Sequence, residues 1–119
     1  MKWSYKNLRV RQKSMNLVTE IYKISNSWLL EKDRWLKDQI RRSAVSIPSN
    51  IAEWNDRSSD AEFKKFLYYA KWSCAEVLVQ LQIAVNIWYM NEDEISNIVG
   101  EYESIIRMIW KLISTLSVQ

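Results

Sequence analysis

Ser59-Asp60-Ala61-Glu62-Phe63-Lys64-Lys65-Phe66-Leu67-Tyr68-Tyr69-Ala70-Lys71-Trp72-Ser73-Cys74-Ala75-Glu76-Val77-Leu78-Val79-Gln80-Leu81-Gln82-Ile83-Ala84-Val85-Asn86-Ile87-Trp88 is the stretch that decides the fold class. Its apolar line runs Phe63, Leu67, Ala70, Cys74, Val77, Leu81, Ala84, Trp88 in steps of four and three, a 3.5-residue period held over nearly four heptads. Ser59-x-x-Glu62 opens it as a capping box, in which the serine oxygen and the glutamate satisfy first-turn amides. The segment therefore predicts a helix over 59–89.

Working outward, the same periodicity recurs. Asn91-x-x-Glu94 is a second cap signal, with Glu92, Asp93 and Glu94 at the positive end of the helix dipole. The line Ile95, Ile98, Tyr102, Ile105, Ile109, Leu112, Leu116 follows and predicts a helix over 91–117. Upstream, Leu36, Ile40, Ala44, Ile47 and Ile51 share one face of a segment over 31–53. Pro48 lies inside that pattern and predicts a kink or a boundary, with Ser46, Ser49 and Asn50 satisfying the carbonyl it frees. Leu17, Ile21 and Ile24 mark a first helix over 7–27, ended by Ser25-Asn26-Ser27. Glycine and proline occur once each, and no alternating β-branched run suggests a strand. The expected fold is all-α: one domain over 1–119, an antiparallel up-down four-helix bundle.

The last two segments are more apolar than a bundle core requires. Phe66, Tyr68, Tyr69, Trp72, Leu78, Val79, Ile83, Val85 and Ile87 widen one; Val99, Ile106 and Ile113 form a second row on the other. Association of subunits is one way to remove this surface from water; a core thickened by aromatics is the other.

At 119 residues, 48% hydrophobic and 26% charged, the chain is neither disordered nor membrane-spanning in composition. Met1 to Lys6 holds no apolar signal region, so the expected location is cytoplasmic. Histidine is absent, which removes triads, zinc sites and Glu-x-x-His iron sites. Cys74 is the only cysteine and reads as a buried small apolar residue. Glu53 and Glu76 read as hydrogen-bond acceptors for Arg41, Arg42, Arg57 or a helix end. No cofactor, metal or enzymatic activity is expected.

Net charge is +3, unevenly placed: residues 1–90 carry 15 basic and 9 acidic side chains, residues 91–119 carry 2 and 5. Arg41 and Arg42 are adjacent, about 100° apart on a helix, so both cannot face the core. Arg57, Lys64, Lys65 and Lys71 follow, with Lys64 and Lys71 seven apart on one face. These six are the candidate nucleic-acid contacts. Pairing with Asp38, Glu53, Asp56, Asp60 and Glu62 is the alternative. Tyr68 and Tyr69 read first as packing aromatics and second as base-stacking ones.

Residues 39–53, Gln-Ile-Arg-Arg-Ser-Ala-Val-Ser-Ile-Pro-Ser-Asn-Ile-Ala-Glu, closely resemble the central motif of bacterial four-helix-bundle proteins encoded in 23S rRNA intervening sequences. Asn7-Leu8, Gln12-Lys13, Arg57, Phe63, Phe66-Leu67, Ala70, Ser73, Glu76 and Tyr89 extend the likeness over nearly the whole chain. The resemblance implies a homopentamer with a basic surface. It also implies a likeness to the accessory variability determinant of diversity-generating retroelements, which binds nucleic acid and a reverse transcriptase. The expected function is a non-enzymatic homo-oligomer that binds RNA or DNA, or an accessory to rRNA intervening sequences or a reverse transcriptase, without membrane contact. A structural scaffold that recruits a protein partner is the competing reading.

The departures from that family have a pattern. Trp35, Trp54, Trp72 and Trp88 stand where the family usually shows glycine, and Arg11 where it tends to place tryptophan. Average usage predicts about 8 glycines in a chain of this length; the chain has 1, with 7 tryptophans. Either several are UGA codons that the organism reads as glycine, or the indoles are a real divergence that fills a subunit interface.

Overall fold

A computed structural model describes residues 5–53 and 59–117. Helices α1 (Tyr5–Ile24), α2 (Trp28–Lys32), α3 (Arg34–Glu53), α4 (Asp60–Asn86) and α5 (Glu92–Ser117) account for nearly all of them, and no strand occurs among them. The four long helices form a closed ring of neighbours, α1 beside α3, α3 beside α4, α4 beside α5 and α5 beside α1. The result is a rod of 47 × 22 × 19 Å. Ser46 bonds Ser73 in mid-helix while Tyr89, just past the end of α4, bonds Asp33 at the start of α3, so α3 and α4 run antiparallel; Lys13 ties α1 to Glu101 of α5 at 2.6 Å. The all-α expectation holds.

The core follows the predicted lines. Leu36, Ile40, Ala44, Ile47 and Ile51 from α3 meet Phe63, Leu67, Ala70, Cys74, Val77, Leu81 and Ala84 from α4, all buried. α5 contributes Ile95, Ile98, Tyr102, Ile105 and Ile109, and then departs from expectation: Ile113 is buried, while Leu112 and Leu116 are half-buried. A straight helix turns every 3.6 residues, so a strict 3.5-residue line drifts off the core and the last step becomes four.

Caps match the cap residues. Ser59 Oγ accepts from Glu62 N at 3.1 Å. At α5 the box is reciprocal: Asn91 Oδ1 accepts from Glu94 N, and Asn91 N donates to Glu94 Oε1, both at 3.0 Å. The first helix ends at Ile24 and not at Ser27, and the predicted second helix is split. Asp33 divides it, its Oδ1 accepting from Leu36 N at 3.1 Å to cap α3, while its Oδ2 accepts from Tyr89 Oη at 3.0 Å.

Three local expectations need correction. α3 continues through Pro48 to Glu53, so no boundary forms there. Ser49 Oγ and Asn50 Nδ2 donate to the carbonyls of Val45 and Ser46, not to that of Ala44, which lies four residues before Pro48; Ser46 Oγ bonds Ser73 Oγ instead. Trp88 does not end the core line. α4 stops at Asn86, and Trp88 is 86% exposed at φ 71°. Trp88 N donates to Val85 O at 3.0 Å and Tyr89 N to Ala84 O at 2.9 Å. This is a Schellman reversal, whose left-handed position normally takes glycine.

The surplus apolar surface is not where the sequence placed all of it. Val99 and Ile106 of α5 pack against the core. The outward side of α4 keeps Tyr69, Trp72, Val79, Ile83 and Ile87 exposed. A second exposed line lies across the bundle, at Leu8, Met15 and Tyr22 of α1 with Val45 of α3.

Candidate functional site

The six candidate cations divide by environment. Arg41 turns toward the end of α1: Nε donates to Ser25 Oγ and Nη2 to Asn26 Oδ1, each at 2.8 Å, and Cζ lies 4.3 Å from the Tyr22 ring centroid. Those are the residues where α1 runs out of intrahelical partners, and a positive group is favoured at that negative end. Arg41 therefore secures the bundle. Arg42, one residue on, is exposed.

On α4, Lys65 is exposed while Lys64 and Lys71 are half-buried. Lys71 Nζ lies 4.7 Å from the Trp110 centroid and Lys65 Nζ 5.9 Å from that of Tyr69, within cation–π reach. The expected carboxylate partners do not take them. Ion pairs among the described residues join Lys13 to Glu101, Lys23 to Glu20 and Lys37 to Glu31; none involves Arg41, Arg42, Lys64, Lys65 or Lys71. Arg57, Asp56 and Trp54 lie outside the described residues.

The structure does not gather all the cations into one patch. With Ser46 against Ser73, Arg42 stands opposite the middle of α4, about 20 Å along the axis from Lys64 at 1.5 Å per residue. Lys71 instead meets α5 through Trp110, which is flanked in sequence by the exposed Arg107 and Lys111. Sequence reading passed over these two because they sit in an acidic stretch. The signal available was the Trp110-Lys111 pair beside Arg107.

Among the described residues no group of three or more Asp, Glu or Cys could hold a metal ion. Burial pushes the Cys74 thiol up to about 12, so it is an inert packing residue. Tyr102 is fully buried with its hydroxyl unpartnered among the described residues, and burial raises its pKa. Glu76 is exposed on α4, and Arg41 reaches neither it nor Glu53. An open groove of about 920 Å³ between α1 and α5 has Arg9, Lys13, Glu20 and Glu101 on its walls, but Lys13 and Glu101 neutralise each other there. Among the described residues no helix is long and apolar enough to cross a membrane.

Comparison with known proteins agrees with this architecture. A crystal structure at 1.70 Å of a protein of unknown function from Bacteroides thetaiotaomicron, assigned to the S23 ribosomal protein family, superposes with a TM-score of 0.83 at 23% identity. The match covers 92% of this chain and 98% of that one, and at this identity it establishes the shared fold. No curated protein sequence matches. The sequence profile of the 23S rRNA-intervening sequence proteins matches residues 6–111, from the first turns of α1 almost to the end of α5. With α3, its partner α4 and the acidic start of α5 all inside that span, the chain belongs to the 23S rRNA-intervening sequence protein family.

Proposed function

We propose that the protein is a non-enzymatic cytoplasmic homo-oligomer that binds structured RNA or DNA through basic side chains, as an accessory to an rRNA intervening sequence or a reverse transcriptase. The observation that carries this reading is the set Arg42, Lys64, Lys65 and Lys71, none of which is in an ion pair among the described residues. Cations left without carboxylates are what a phosphate backbone neutralises.

Assembly draws support from the two exposed apolar lines. The line on α4 (Val79, Ile83, Ile87) and that on α1 and α3 (Met15, Tyr22, Val45) are different surfaces on different sides of the bundle. A two-fold dimer uses one self-complementary patch, whereas a ring joins two unlike patches head to tail. Their charges also match. Residues 72–106 contain no Lys or Arg, and Glu76 stands in the α4 line, while Arg11 and Arg41 border the other. A ring of five protomers, the number the family resemblance implies, carries 5 × 3 = +15 of net charge.

A gel shift with RNA and DNA across a salt series tests the nucleic-acid reading. Retardation is expected at about 50 mM salt and is expected to fade steeply by about 200 mM, as counterion release requires. Arg42→Ala weakens it. Absence of any shift at low salt removes this reading and leaves a scaffold that recruits a protein partner.

A further inference from the structure

We propose that the rings of Tyr69, Trp72, Tyr68 and Trp110, with the cations around them, form a binding platform for single-stranded nucleic acid with unstacked bases. This rests on the nucleic-acid reading above and assigns it a site: within a structured RNA or DNA, the platform takes the unpaired loops and ends, whose bases can be splayed out. The rings make one connected path from α4 across to α5. Tyr69 and Trp72 centroids are 5.7 Å apart, Tyr68 and Trp72 6.2 Å, and Tyr68 and Trp110 6.0 Å with planes at 87°. Tyr69, Trp72 and Trp110 are exposed. The centroid separations are ordinary ring-packing distances, which hold the platform together; duplex bases are covered on both faces by their neighbours, so the exposed rings can stack only on bases that have left a helical stack.

The charge around the rings favours a polyanion over a second copy of the chain. Lys65 and Lys71 lie over Tyr69 and Trp110, Lys64 precedes Tyr68 by one helical turn, and Arg107 and Lys111 flank Trp110 in sequence; none of the five is in an ion pair among the described residues. The opposite apolar line on α1 and α3 is bordered by arginines, so docking it here would set cation against cation. The aliphatic, acid-bearing half of α4, Glu76 to Asn86, with Ile87 just beyond it, lacks this conflict. Glu76 thus divides the outward side of α4 into a ligand half and a subunit half.

The test uses the full chain, a labelled RNA strand of about 16 nucleotides, the upper site size for one single-strand-binding module, and the same strand annealed to its complement. The wild type binds the single strand more tightly than the duplex. Tyr69→Ala and Trp110→Ala each weaken single-strand binding about tenfold and leave duplex binding unchanged, because a stacked base contributes through its ring. Trp110→Phe, which keeps a ring, retains most of the affinity. Three results overturn the platform: equal loss on both ligands, no loss on either, or an altered oligomer mass in the alanine variants, which marks a subunit contact. If either of the first two occurs while Arg42→Ala still weakens binding, the broader nucleic-acid reading survives. If the wild type binds neither ligand, both fall.

Discussion

Trp88 and Trp72 put the tryptophan-for-glycine question in physical terms. Trp88 is the one non-glycine residue with positive φ among the described residues, and an L side chain in the left-handed region costs about 1–2 kcal/mol. Trp88→Gly is therefore expected to stabilise the fold by about 1 kcal/mol, read as a higher denaturation midpoint. Trp72 sits inside α4 in ordinary helical conformation, 54% exposed. Trp72→Gly is expected to cost about 1 kcal/mol from the helix. Trp35, 72% exposed in the first turn of α3, likewise lacks positive φ. Among the described positions Trp35, Trp72 and Trp88, backbone geometry thus favours reading UGA as glycine at Trp88 alone, and peptide masses from the native organism decide each position. Glycine masses at all four sites establish recoding; intact tryptophans exclude it.

At the same scale, Cys74 and Tyr102 link stability to pH. Both are held neutral by burial, the thiol up to about 12 from an ordinary 9.0. The unfolded chain releases the thiol proton near 9 while the folded chain keeps it. Stability is thus fully present below pH 9 and declines as pH rises toward 12. Cys74→Ala is expected to lose less stability than the wild type between pH 8 and pH 11, measured by urea unfolding at each pH. An equal loss means the thiol is not the titrating group.

Individual helices depend on residues that their own periodicity does not reveal. The end of α1 relies on Arg41 of α3, and the start of α3 relies on Asp33, which also holds the turn after α4 through Tyr89. Arg41→Ala is expected to destabilise the protein by about 1–2 kcal/mol, since it removes two charge-assisted hydrogen bonds. Arg42→Ala, at an exposed site, stays within about 0.5 kcal/mol of the wild type. Thermal unfolding of the pair separates the structural arginine from the one available to a ligand. Adjacent arginines in one motif look alike in sequence; only the arrival of α1 beside one face of α3 makes them different.

For the whole molecule, the question is how two unlike apolar lines leave water. Ile83 lies on the exposed α4 line, 42% accessible and away from the core. Ile83→Glu is expected to leave helicity unchanged and reduce the assembly to a protomer of 14.3 kDa, measured by light scattering coupled to gel filtration. A wild type that is itself monomeric removes the ring. An assembled variant moves the contact elsewhere.

The apolar lines of α3, α4 and α5, the caps at Ser59 and Asn91, and the absence of histidine were determined by the sequence alone, because periodicity, capping and side-chain chemistry are local properties. The fifteen residues from Gln39 to Glu53 were enough to point to the family. Tertiary structure decided the rest: that Ile113 and not Leu112 enters the core, that Trp88 turns into solvent, that Arg41 is committed to α1, and that Trp110 of α5 lies under Lys71 of α4. Each depends on which helix lies against which face, and helices distant in sequence meet only once the bundle has closed.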